Sequence, residues 1–264
     1  MPKPFITERN HAILLVPFLY AYFSRMKGLR GFGFNALTLW APGLILTAGL
    51  TEASLGLILT LYFTGYLAFI SVYELGYLMN DTWGLRHDST PRRRIQVDYP
   101  KPFYPAFVLV RLGTVLTMGY VLGLLGMPAF WGVLALLGAA ILAHNLLTRE
   151  EFKMMTFFQM SLLRFSTPVF FATALTDAVW VMAVGALLFV FPRLLTYQDS
   201  KARLTIPERK LSDFALWNTL LAGPAIGVIY LISDQPAVLV TWVYYLIFTA
   251  ALRVARQRFG KALS

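Results

Sequence analysis

The 264-residue chain contains no cysteine. That excludes a disulfide framework, a thiol nucleophile and a thiolate-held metal. Charge is scarce too: Asp, Glu, Lys and Arg make up 14% of the residues, against 58% that are hydrophobic. A soluble domain of this length needs far more charge to cover its surface, whereas a membrane protein is solvated by lipid. Acid is the scarcer sign, with 13 Asp and Glu against 23 Lys and Arg, a formal net charge of +10. An excess of that size suits nucleic acid, but its placement argues against such a partner. The basic residues sit in short connections between apolar runs, as membrane topology produces. No long linker, low-complexity segment or second domain is evident, so residues 1–264 read as a single membrane domain. No small-residue cleavage site follows the first apolar stretch, so no cleavable signal peptide is expected.

A hydrocarbon core about 30 Å thick takes about 20 helical residues. Eight stretches read as spans: residues 35–50, 53–80, 103–125, 129–147, 154–175, 178–197, 212–232 and 237–253, the first of them short unless its helix begins before Asn35. The expected fold is therefore all-α, a polytopic transmembrane bundle of about eight spans. Residues 11–24 are apolar but short, and within the basic N-terminal segment 1–34 they read as an interfacial or re-entrant helix. A ninth span there would place Lys3 and Arg9 outside.

Orientation follows from the connections. Those at Thr51–Glu52, Gly126–Pro128, around Asp177 and at Ser233–Pro236 carry no Lys or Arg. The alternate ones hold Arg86, Arg92, Arg93, Arg94 and Lys101, then Arg149 and Lys153, then Lys201, Arg203, Arg209 and Lys210. Arg25, Lys27 and Arg30 precede the first span, and Arg253, Arg256, Arg258 and Lys261 mark the end of the last and the basic tail 254–264. The positive-inside rule puts both termini and the basic connections in the cytoplasm.

Ionisable residues inside apolar spans are costly and normally face a bundle interior or a wet cavity. Glu74, Arg111, His144, Arg164 and Arg193 all fall in the half of their spans nearer the basic connections. One polar cavity opening to the cytoplasm accommodates them. Arg111 and Arg193 are also near enough to the ends to snorkel to the headgroups.

The second span ends in Asn80-Asp81, with Asp88 seven residues on and Arg92–Arg94 beyond. Hard oxygen ligands at the mouth of an apolar helix suit Mg²⁺, which binds phosphate oxygens through its remaining positions. Guanidinium groups beside them suit a diphosphate. Glu74, Tyr77 and Asp81 fall at i, i+3 and i+7 and share one helix face.

This pattern resembles the UbiA superfamily of intramembrane prenyltransferases, whose second helix ends in Asn-Asp-x-x-Asp-x-x-x-Asp and whose sixth ends in another acidic motif. Here the first reads Asn80-Asp81-x-x-Gly84-x-x-x-Asp88, and the second Tyr197-Gln198-Asp199. Gly84 stands where the family has its middle Asp, and the second motif keeps one acid. The family's cation after the fourth helix is matched by Arg149. The resemblance covers about residues 35–210.

It implies a transferase using a diphosphate-activated donor with Mg²⁺ assistance. Asn80, Asp81, Asp88 and Asp199 would hold the metal, with Asp81 catalytic. Arg149, Arg164, Lys201 and Arg203 would contact the diphosphate. Glu74, outside the family motif, is a candidate base or acceptor-positioning group. The expected reaction is prenyl transfer to an aromatic or lipid acceptor, with an isoprenoid or polyprenyl lipid substrate and no obligate protein partner. The Tyr-x-acid pattern and Arg164 are similar to the polyprenyl-phosphate phosphoribosyltransferase branch, whose donor is phosphoribosyl diphosphate. A terpene cyclase on the same scaffold, or a non-catalytic lipid-phosphate binder or transporter, are the other readings.

Overall fold

The computed structural model describes residues 6–7, 9–26, 28–84, 94–95, 97–173, 177–200 and 212–263. All regular structure among them is helical. Backbone in hydrocarbon must satisfy its hydrogen bonds within its own segment, and a helix does so.

A 3₁₀ turn (His11–Leu15) leads into α1 (residues 19–26). Then come α2 (Leu29–Leu50), α3 (Leu55–Thr82), α4 (Phe103–Val121), α5 (Pro128–Leu146), α6 (Glu150–Thr173), α7 (residues 178–200), α8 (Ser212–Ser233) and α9 (Pro236–Leu263). Seven helices among the described residues are long and apolar enough to cross a membrane, as expected of a multi-pass integral membrane protein.

The remaining expected span, 154–175, corresponds to α6, which is long enough at 24 residues but too polar. It carries Glu150, Glu151, Lys153 and Arg164. Its position explains the composition. α6 packs against α2, α3, α5 and α7, and its second half, from Leu163 to Phe171, is buried throughout. A helix wrapped by protein need not be apolar on every face.

Residues 11–24 form no continuous helix. Phe18 takes a left-handed φ of 77° between the 3₁₀ turn and α1, and α1 opens into wide π-type turns over Tyr22–Met26. The segment folds onto α3 and α4, with Leu14 and Tyr20 fully buried. A close turn joins it to α2. Gly28 has φ +93°, and a Cβ at Gly31 would lie 1.6 Å from the Met26 carbonyl oxygen, so only glycine fits there.

α2 also widens into π turns over Ala36–Trp40. Such turns disturb the ordinary carbonyl ladder and in lipid need other donors. Tyrosine hydroxyls supply them: Tyr244 donates to the Leu37 carbonyl at 2.7 Å, Tyr245 to Thr38 at 2.7 Å and Tyr62 to Leu39 at 3.4 Å. The first and last long helices are thereby tied together.

Candidate functional site

The shared face of Glu74, Tyr77 and Asp81 is where the N-terminal segment docks. Glu74 is fully buried. One carboxylate oxygen accepts the Ala21 backbone N–H at 2.7 Å, and the other accepts that of Phe18 at 3.0 Å. Arg111 on α4 brings its Nε within 2.7 Å of the second oxygen. The rest of that guanidinium donates to the carbonyls of Leu14, Leu15 and Val16. The pair therefore satisfies backbone groups of a non-helical stretch that would otherwise be buried without partners. Arg111 does not snorkel.

Asp81 closes the other end of the segment. Arg25 grips it with two parallel bonds of 2.8 and 2.9 Å. The Tyr20 hydroxyl adds a third at 3.1 Å, and the Asn80 amide a long contact at 3.4 Å. Burial, then the Asp81 carboxylate, push the Tyr20 phenol far above its usual range, so it stays protonated and donates. Arg25 also lies 4.2 Å from the Tyr77 ring centroid.

Beside this anchor lies a cavity of about 530 Å³. Five helices give it one face each, at helical spacing. α2 contributes Gly31, Phe34, Asn35 and Thr38, and α3 contributes Tyr73, Gly76, Tyr77 and Asn80. Ile141, His144 and Asn145 come from α5, and Arg193 and Tyr197 from α7. α6 supplies Lys153, Phe157, Met160 and Arg164, at i, i+4, i+7 and i+11. Arg25, Met26 and Arg94 complete the wall. The cavity sits at the helix ends joined by the basic connections.

Its wall is cationic. Arg25, Arg94, Lys153, Arg164 and Arg193 line it, and among the described residues no Asp or Glu does. Lys153 is 7% exposed and Arg164 8%. Arg164 donates to Asn35 Oδ1 at 2.6 Å and to the Tyr77 hydroxyl at 3.3 Å. Its Nε and that of Arg193 are buried donors with no acceptor among the described residues. The Arg193 guanidinium lies 5.0 Å from the Phe189 ring centroid. No carboxylate among the described residues pairs with Lys153, Arg164 or Arg193. Neutral polar groups are also left over: Asn145 Oδ1 and Asn35 Nδ2 are buried without partners among the described residues.

Of the residues singled out from the sequence, Tyr77, Asn80, His144, Arg164 and Arg193 stand in this wall. Glu74 and Asp81 stand behind it, with their oxygens taken by the N-terminal segment. Arg149 is exposed in the connection before α6, outside the wall, while Lys153 one turn on lies within it. Tyr197 lines the cavity, stacked on Phe157 at 4.4 Å, with its hydroxyl on Glu150. Asp199 is half-buried beyond it. Asp88, Lys201 and Arg203 lie outside the described residues. Arg25, Lys153 and Asn145 were missed as site residues. For Lys153 a signal existed, since it shares a helix face with Arg164.

Mg²⁺, expected from the resemblance, requires free oxygen lone pairs. Asp81 does not fit this as it stands, because an arginine fork and a tyrosine hydroxyl already occupy both oxygens. Where the family has its middle Asp, a Cβ at Gly84 would come within 2.8 Å of Asn145 Oδ1. The neutral amide fills that space.

No family model, curated protein or solved structure matches the chain.

Proposed function

We propose that the chain is a membrane-embedded transferase of UbiA type that seats a diphosphate leaving group in the cationic cavity. Its favoured reaction moves a prenyl group from a prenyl diphosphate to an aromatic or lipid acceptor. The observation that carries this is the charge of the wall. Buried cations without counter-charge are costly, and a polyanionic ligand removes that cost. Lys153, Arg164 and Arg193 hold phosphate oxygens and stabilise the charge that grows on them. The prenyl C–O bond breaks, and diphosphate leaves with the electron pair. The carbon bonds to the acceptor, whose displaced proton passes to the diphosphate. Glu74 and Asp81 are positioning residues in this scheme, since they act through the segment that carries Arg25. The cavity and both termini face the cytoplasm.

A second reading, phosphoribosyl transfer from phosphoribosyl diphosphate to a polyprenyl phosphate, is favoured by Asn145 Oδ1 and Asn35 Nδ2. A ribose offers hydroxyls to both, and a prenyl tail offers none.

Purified protein in liposomes, given each donor with lipid acceptors, separates these readings by diphosphate release and product mass. Release from a prenyl diphosphate with a prenylated acceptor supports the first, and a cyclised product points to a terpene cyclase. Release from phosphoribosyl diphosphate that requires polyprenyl phosphate supports the second. No release from any donor, with lipid phosphate still bound, sinks the enzyme and leaves a binder or transporter.

A further inference from the structure

We infer that the cavity neutralises a diphosphate with side-chain cations alone, so that diphosphate binds without a divalent ion. This rests on the reading of the cavity as a diphosphate site and adds how the charge is met.

The first ground is the engagement of Asp81. Its side chain is 2% exposed, and both oxygens are gripped by Arg25. To ligate a metal it would have to release that guanidinium, itself only 13% exposed, and strip the buried Tyr20 hydroxyl of its acceptor. Removing one partner of a buried ion pair leaves an uncompensated charge, and that penalty opposes the exchange.

The second ground is the wall. A dication entering the cavity faces Lys153, Arg164 and Arg193, with no carboxylate among the described lining residues to receive it. A diphosphate meets the same groups with the opposite sign.

The third ground is the kind of hydrogen-bonding capacity left over. The charged groups with unmet capacity are donors, Arg164 Nε and Arg193 Nε. Metals need lone pairs, whereas phosphate oxygens need N–H groups, and guanidinium forks match them geometrically. Asn145 Oδ1, an acceptor left over in the wall, is a neutral amide oxygen and brings no charge to hold a dication.

The test is calorimetric titration of the full-length protein in detergent with inorganic diphosphate, once with EDTA and once with excess MgCl₂. Binding in EDTA at least as tight as in MgCl₂ is expected, since excess Mg²⁺ also complexes free diphosphate in solution. Arg164→Gln, with its melting temperature checked, is expected to weaken binding by about 10-fold or more, as for loss of a hydrogen bond to a charged group. Arg193→Gln is the second variant, and the EDTA comparison needs no variant. Binding that appears only with Mg²⁺ overturns the inference and leaves the diphosphate site standing. Absence of binding in both conditions overturns the inference and the site together.

Discussion

At the residue scale, buried charge in this chain divides into two kinds. Glu74 with Arg111, and Asp81 with Arg25, are matched pairs that hold backbone in place. Lys153, Arg164 and Arg193 line a cavity with no acid among the described residues to match them. The pairs yield a stability prediction. Arg111→Met strands Glu74, and Glu74→Leu strands both Arg111 and the Phe18 and Ala21 amides. Each single change is expected to lower stability by about 3–5 kcal/mol, as when one partner of a buried pair is removed. The double variant should lose less than the sum of the two. Thermal unfolding of all four proteins in one detergent checks this, and additive losses would refute the pairing. The sequence marked Glu74, Tyr77 and Asp81 as one face, because helical spacing is local information. It did not disclose what covers that face. The partners lie 53 to 61 residues away, and one sequence does not specify long-range pairing.

At the element scale, the N-terminal segment and α6 depart most from a plain reading of hydropathy. α6 is too polar to qualify as a span on composition, yet it is the helix most enclosed by others. Its role was legible in part, since Lys153 and Arg164 recur on one face, but hydropathy cannot tell a protein environment from lipid. The turn from α1 to α2 is more exacting. Gly31→Ala puts a methyl group into the Met26 carbonyl and should displace the segment, lowering both melting temperature and diphosphate binding. Gly33→Ala, whose Cβ meets open space in the same helix, is the control. It should be neutral or stabilising by up to about 1 kcal/mol. If both alanine variants behave alike, the close turn is not as described. The tyrosine ties make a milder prediction. Tyr245→Phe removes one hydroxyl from the Thr38 carbonyl and should destabilise by about 1 kcal/mol. Differential scanning calorimetry resolves a change of that size.

At the scale of the whole molecule, the basic connections, the cavity and the unmatched cations share one end of the bundle. The all-helical fold was legible because apolar runs of about 20 residues leave few alternatives. The cavity was legible as a clustering of Glu74, Arg111, His144, Arg164 and Arg193 in one half of their spans. Its true lining was not, since Glu74 and Arg111 proved to anchor the segment instead. The proposed orientation is checked by reporters fused to each end. Both should be active only when the reporter works in the cytoplasm, and opposite sidedness would break the topology.

The measurement that bears most directly on the account is an electron cryo-microscopy structure of the protein in nanodiscs, saturated with diphosphate. Density is expected in the cavity, in contact with Lys153, Arg164 and Arg193, with Arg25 still on Asp81. Diphosphate bound elsewhere, or a cavity left empty at saturation, would contradict it.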